Sequence, residues 1–213
     1  MLKFMALLWA LWRYRTKRAL FKYMRTKVFK PTSPAYLTFI RAYEEIERDF
    51  RDVKRESGKT YMTHIHAVAV VVIVHLKSRD LNEILAALFH DAIEHFPEKW
   101  TYLLISRDYN VVLARWVLHL TKISVAYFTS EFDRDFAYHG SFDRAEHEVA
   151  RVKIADRTHN NLTLYHCPLE KQLRKITETT DFYIDWAKDR NIMYHELSIA
   201  TKIANIRAFF SSA

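Results

Sequence analysis

Apolar residues recur along most of this chain at steps of three and four, the spacing of one buried stripe on an α-helix. The pattern is clear in Leu37, Ile40, Tyr43, Ile46, Phe50 and Val53, preceded by Ser33 as N-cap and Pro34 at the first helical position. A helix from residue 34 is predicted, with Gly58 as its stop. Ala67 to Val74 is β-branched and uninterrupted, so propensity alone would allow a strand; the chemistry of its neighbours favours a buried helix. Asp80 and Glu83 form a capping box that opens a helix running to about Phe96. Shorter helices are predicted within 97–108 and 111–123. The aromatic and acidic stretch 124–140 suits a loop over a site. Long helices are predicted over 142–164, 168–190 and 194–210.

Composition narrows the class further. The 213 residues include two glycines, where about fifteen would be average. Neither a dinucleotide fingerprint nor a P-loop can be written with Gly58 and Gly140 alone, and hairpin-rich sheets are disfavoured for the same reason. An all-α bundle remains. The single cysteine, Cys167, excludes an internal disulfide framework and a cysteine-based zinc cluster, which points to a reducing, cytoplasmic setting.

The net charge of +8 is concentrated at one end. Residues 1–30 carry Lys3, Arg13, Arg15, Lys17, Arg18, Lys22, Arg25, Lys27 and Lys30, and no acid precedes Glu44. The remainder of the chain is therefore close to neutral. The apolar run Phe4–Trp12 is far shorter than the roughly 20 residues a membrane span needs, and its flanks do not fit a secretory signal. Residues 1–32 are expected to form a basic, aromatic helical extension, and residues 33–213 the main domain. The extension is expected to pack on the domain or on a partner subunit, with a membrane surface or nucleic acid as alternative contacts.

Several of the eleven histidines stand beside acids. His90 and Asp91 are adjacent, with Glu94 a helical turn further on, so one face is expected to present all three. Asp156 and Asn160 are four apart on a later helix, and His64 opens the helix before the His-Asp pair. Imidazole and carboxylate together suit Mn²⁺, Fe²⁺ or Zn²⁺. For any one of these histidines alone, an ordinary surface or hydrogen-bonded role would be the simpler reading.

The order and context of these residues change that reading. Four stretches carry a resemblance: Arg55-x-Ser57-Gly58-x-x-Tyr61-x-x-His64; Ala86 to Glu94, containing His90-Asp91; Lys153 to Asn160; and Lys175 to Tyr183. They resemble the HD superfamily of metal-dependent phosphohydrolases and, within it, the hydrolase domain of RelA/SpoT-type alarmone enzymes, over about residues 36–195. With no room for a synthetase domain after residue 195, the small alarmone hydrolases are the most similar class.

The resemblance implies an all-α fold and Mn²⁺ held by His64, His90, Asp91 and Asp156. It implies removal of the 3′-pyrophosphate from ppGpp or pppGpp, with roles in the stringent response or in neutralising a toxic alarmone synthetase. Glu94 is the expected general base, and Arg55, Ser57, Tyr61, Asn160 and Thr163 the expected nucleotide contacts. Three departures stand out. His95 follows Glu94 where the family has Asp, and is expected to act as a proton donor or to reduce the site's negative charge. Glu56 replaces a family lysine, and Leu162 a basic residue, which brings adenine alarmones such as ppApp into consideration. Lys122, Lys153 and Arg157 are candidate phosphate ligands or ordinary ion-pair partners. The alternatives are another HD nucleotide phosphohydrolase, such as a nucleotidase or dNTPase, and a catalytically weakened nucleotide-binding module.

Overall fold

The computed structural model describes residues 1–211 and is all-α, with no strand among them. Helices α1 (Leu2–Arg13) and α2 (Lys17–Tyr23) lead into α3 (Pro34–Asp49), α4 (Met62–Val70), α5 (Leu81–Phe89), α6 (Ala92–His95) and α7 (Tyr102–Asp108). Then follow α8 (Val111–Leu120), α9 (Glu131–Ser141), α10 (His147–Thr163), α11 (Leu169–Glu178), α12 (Ile184–Asp189) and α13 (Tyr194–Ser211).

Helices α4, α5 and α10 form the centre, and each packs against the other two. Their side chains explain the position. α4 is buried on nearly every side, from Met62 to Val70, and α5 from Glu83 to Phe89. A helix apolar all round has no solvent face to offer and must lie inside the bundle. The β-branched run from Ala67 is thus helical, continuing past α4 into a π-helical turn, Val71–His75. Around the centre, α3 and α8 pack on α5, and α13 packs along α10.

Several elements differ from the expectations. Ser33 caps α3 as predicted, its hydroxyl accepting from the Tyr36 amide at 3.2 Å. The buried stripe of that helix is Tyr36, Phe39, Ala42, Tyr43 and Ile46, while Leu37 is 56% exposed. α3 ends at Asp49, well before Gly58. Gly58 instead takes φ +75° in the turn of a small loop closed by a bridge between Lys54 and Thr60.

The helix predicted from 81 to 96 is broken between His90 and Asp91, and residues 131–140 of the expected loop lie in α9. The helix predicted from 142 begins at His147, after a 3₁₀ turn. The one predicted over 168–190 is interrupted at Thr179–Tyr183 by a π-helical turn. There the Thr179 and Thr180 hydroxyls donate to the Lys175 and Ile176 carbonyls, four residues back. Such back-bonding competes with the helical ladder and opens it.

The amino-terminal segment is docked on the bundle. α1 packs against α4, the Val71–His75 turn and α13. Phe4, Leu7, Ala10, Leu20 and Met24 join the same apolar core as α4, α5 and α10. If this docking contributes to the folded state, Leu7→Ala should destabilise the whole chain by about 2–4 kcal/mol in a single denaturant transition. A loss below about 0.5 kcal/mol, or a separate early transition, would show that α1 does not share the core.

Candidate metal and nucleotide site

The break after His90 creates the site. On a continuous helix two adjacent side chains point about 100° apart and cannot converge on one ion. Here α5 ends at Phe89, and Asp91 adopts φ −108°, ψ 3° before α6 begins. The kink returns the Asp91 carboxylate beside its neighbour, with Oδ2 3.0 Å from His90 Nε2.

His64, from α4, faces the same point: its Nε2 lies 3.1 Å from His90 Nε2 and 3.6 Å from Asp91 Oδ2. Asp156, from the middle of α10, completes the group, with Oδ1 3.2 Å from His64 Nε2 and 3.8 Å from His90 Nε2. His64, His90 and Asp156 are buried and offer ligand atoms within 4.8 Å of one another.

The hydrogen bonds around the two imidazoles define what they offer. His90 Nδ1 faces the Ala87 carbonyl at 3.0 Å, which can only accept. Nδ1 must carry the proton, leaving Nε2 with a lone pair in the neutral ring. His64 Nδ1 lies 2.8 Å from His159 Nδ1. Burial, followed by the nearby His64, holds the His159 pKa well below the usual range, and one of the two Nδ1 atoms donates to the other. The two Nε2 atoms and two carboxylates therefore converge in an enclosed space, and the carboxylates favour a positive charge between them. The donor set of two nitrogens and two oxygens fits a divalent transition ion.

Without a metal, a proton answers the same demand. Burial opposes a charge on His90, but the Asp91 and Asp156 carboxylates override it and raise its pKa to about 9. Asp91 is held well below the carboxylate range against burial, chiefly by His90 and by hydrogen bonds from both histidines. The remaining contacts orient the ligands. The Tyr61 phenol donates to Asp91 Oδ2 at 2.7 Å, Asn160 donates to Asp156 Oδ1 at 2.6 Å, and the Lys153 ammonium lies 3.2 Å from Asp156 Oδ2.

This cluster borders a cavity of about 300 Å³ whose wall includes Asp91, Glu94 and Asp156. Six cations share that wall: Arg55, Lys122, Lys153, Arg157, Lys171 and Lys175. Each has a protein partner. Arg55 donates to Asn160 at 2.8 Å, Lys122 pairs with Asp135 at 2.6 Å, and Lys171 pairs with Glu56. Arg157 meets Glu178 through two nitrogens, at 2.9 and 3.2 Å, and lies over the Tyr183 ring. Lys175 also bonds Glu178, at 2.8 Å; burial, then repulsion from Arg157, pushes its pKa down to about 8.

Glu94 is at the mouth, its carboxylate accepting from the Lys122 amide. The surrounding protein, followed by the negative Asp91, raises its pKa to about 7. Its residue surface is nevertheless solvent-exposed, so the group is crowded rather than sealed from water.

The expected nucleotide contacts divide between two adjoining cavities. Tyr61 and Asn160 line the metal-side cavity, whereas Ser57 and Thr163 line a neighbouring one of about 460 Å³. Arg55, Glu56 and Cys167 belong to both walls. His95 follows Glu94 at the end of α6. Its ring packs on Tyr61, with centroids 4.4 Å apart, and on Phe50 at 5.1 Å, and it lines neither cavity. Burial lowers its pKa. His95 is nonetheless solvent-exposed, and Asp91, His90 and His64 also act on its charge.

The partners of His64 and Arg157 escaped the sequence reading. His159, Lys175 and Glu178 lie inside the recognised stretches, but nothing in their spacing assigns a role. Tyr138 and Lys171, also in the wall, lie outside those stretches, and Tyr138 belongs to the α9 segment expected to be a loop.

Comparison with known proteins decides the family. Residues 42–192 match the model of the HD domain. The chain is an HD-domain protein of the RelA/SpoT type. It is 31% identical over 144 residues to a GTP pyrophosphokinase of Streptomyces coelicolor, covering 67% of this chain and 16% of that protein. It is 32% identical over 135 residues to the bifunctional (p)ppGpp synthase/hydrolase SpoT of Escherichia coli, covering 61% and 18%. A guanosine-3′,5′-bis(diphosphate) 3′-pyrophosphohydrolase of Haemophilus influenzae is 31% identical over 133 residues, covering 61% and 19%. The alignments thus span less than a fifth of each of these longer relatives.

Because metal coordination needs the neutral His90 ring, Mn²⁺ binding near pH 7.5 should release about one proton per ion. Calorimetry in buffers of different ionisation enthalpy measures this number, which should fall towards zero as the pH passes about 9. Replacing the Nδ1 partner of His64, as in His159→Phe, should weaken Mn²⁺ binding about 10- to 100-fold. Unchanged affinity would show that His159 does not orient His64.

Proposed function

We propose that this chain is a divalent-metal-dependent phosphohydrolase that removes the 3′-pyrophosphate of guanosine or adenosine alarmones such as ppGpp, pppGpp or ppApp. Its products would be pyrophosphate and the nucleoside 5′-di- or triphosphate. The observation that carries this reading is the cluster of buried His64, His90 and Asp156 with the part-buried Asp91, opening onto a cavity walled by six cations. A site for a metal alone would not need that wall; a site for a polyphosphate would.

His64, His90, Asp91 and Asp156 would hold the ion, with Mn²⁺ as the proposed metal. When bound, the ion supplies Lewis-acid polarisation of a phosphoryl oxygen and eases deprotonation of a water. Glu94, with its pKa raised to about 7, is the general base that takes a proton from the attacking water. The new bond joins that water oxygen to the phosphorus attached to the 3′ oxygen. The bond to the 3′ oxygen breaks, and that oxygen leaves as the ribose hydroxyl after taking up a proton.

Lys153, Lys122, Arg157 and Lys175 neutralise phosphate charge by exchanging part of their carboxylate contacts for phosphoryl oxygens. Arg55, stacked against the base, spans the boundary between the two cavities. Ser57 and Thr163 contact the nucleoside side, and Tyr61 and Asn160 hold the carboxylate ligands in orientation. His95 has a positioning role, fixing Tyr61 from behind.

The test is to incubate Mn²⁺-loaded protein separately with ppGpp, pppGpp, ppApp and dGTP and to resolve the products. Pyrophosphate released from the 3′ position of any of the first three is the expected result. Inorganic triphosphate from dGTP would replace this reading with that of a dNTPase, and alarmone binding without turnover would replace it with a nucleotide-binding module.

Asp91→Ala should abolish turnover together with tight Mn²⁺ binding. Glu94→Gln should lower kcat by about 10²- to 10⁴-fold while leaving Mn²⁺ binding nearly intact. The base must be ionised, so kcat/KM should fall as the pH drops below the Glu94 pKa. The bound ion offsets the negative charge of Asp91, placing that acid limb at or below about 7.

A further inference from the structure

α1 buries one stripe and exposes another that is also apolar. Phe4, Leu7 and Ala10 face the core. On the outer side, Leu2 is 87% exposed, Met5 56%, Trp9 54% and Trp12 63%, with Leu8 at the edge of the stripe. A helix whose solvent face carries leucine, methionine and two tryptophans leaves apolar area in water that only a second apolar phase can cover.

The charges that follow α1 in sequence identify that phase. Arg18, Lys22 and Arg25 follow at steps of four and three and are exposed, as are Lys27 and Lys30. Lys17 pairs with Glu44 and Glu47, but these five cations have no acidic partner within 4.0 Å among the described residues. The first acid of the chain is Glu44. Trp12 itself lies beneath the Arg15 guanidinium, 5.5 Å from the ring centroid.

We propose that α1 and α2 form a docking surface for an anionic lipid bilayer. α1 would lie in the plane of the interface, with Leu2, Met5, Trp9 and Trp12 in the acyl boundary and the α2 cations on the headgroups. Twelve residues extend about 18 Å, too little to cross a hydrocarbon core of about 30 Å. No described helix is long and apolar enough to do so.

A second copy of the chain fits less well, because its own basic segment would be brought against this one. Nucleic acid would engage the cations and could stack on the tryptophans, but Leu2 and Met5 gain from leaving water only in an apolar phase. The surface is separate from the metal cluster, and the inference does not rest on the proposed reaction.

The test is co-sedimentation of the full chain with vesicles of phosphatidylcholine alone, or with about 30% phosphatidylserine. Binding to the anionic vesicles is expected to be about 100-fold tighter than to the neutral ones and to weaken as salt rises. Trp100, Trp116 and Trp186 are buried, so a blue shift of tryptophan emission on binding reports Trp9 and Trp12.

The double variant Trp9→Ser/Trp12→Ser should lose that shift and bind at least about 10-fold more weakly. The triple variant Arg18→Gln/Lys22→Gln/Arg25→Gln should bind about 100-fold more weakly. All five positions are exposed, and unchanged thermal melting would confirm that both variants fold. Equal binding to neutral vesicles would overturn the proposal. So would binding to single-stranded RNA with none to vesicles, or a dimer that dissociates in the tryptophan variant while vesicles are ignored.

Discussion

Two imidazole nitrogens stand 3.1 Å apart between two carboxylates, an arrangement that favours a cation, a proton or a metal ion, at their centre. Much of the central architecture serves that constraint. α4 supplies His64, the end of α5 supplies His90, the kink supplies Asp91, and α10 supplies Asp156. Because these three helices are also the most enclosed, the ligands are held by apolar packing rather than by mobile loops. Desolvation then makes the unmet negative charge costly and gives a proton or a metal ion a strong hold.

Around that centre the charges alternate in shells. The carboxylate ligands are flanked by Lys153 and Tyr61, Lys153 and Arg157 are flanked by aromatic rings, and Arg157 and Lys175 share Glu178. A wall of cations without acids would repel itself in so small a space. Pairing five of the six with acids, and Arg55 with the Asn160 amide, offsets that repulsion and leaves donors that a polyphosphate can recruit. The Glu56–Lys171 pair belongs to the same scheme. An acid at position 56 looks hostile to phosphate in isolation, but a lysine from α11 stands against it.

The segment before Pro31 shows a different balance. Its inward stripe is continuous with the core of the bundle, yet its outward stripe is exposed and, among the described residues, Arg18, Lys22, Arg25, Lys27 and Lys30 have no acidic partner within 4.0 Å, whereas Lys17 pairs with Glu44 and Glu47. Phosphate binding in the cavity and the excess charge of the protein are thus separate matters. The cavity draws on Arg55 and on residues of α10, α11 and the turn after α8, whereas the +8 arises from residues 1–30.

Much of this was legible in sequence. Periodicity and glycine poverty determined an all-α class, Ser33 and Asp80 marked helix starts, and the order of His64, His90-Asp91 and Asp156 named the cluster, because these are local signals carried by neighbouring residues. Long-range packing decided the rest. Periodicity cannot show that a helix breaks between His90 and Asp91, since both residues suit a continuous helix and the gain comes from His64 and Asp156, which are distant in sequence. Nor can it show that His95 packs on Tyr61, that His159 meets His64 through Nδ1, or that residues 131–141 become helical beside the cavity. Such placements depend on which groups meet across the bundle, and only the folded chain brings those groups within reach of one another.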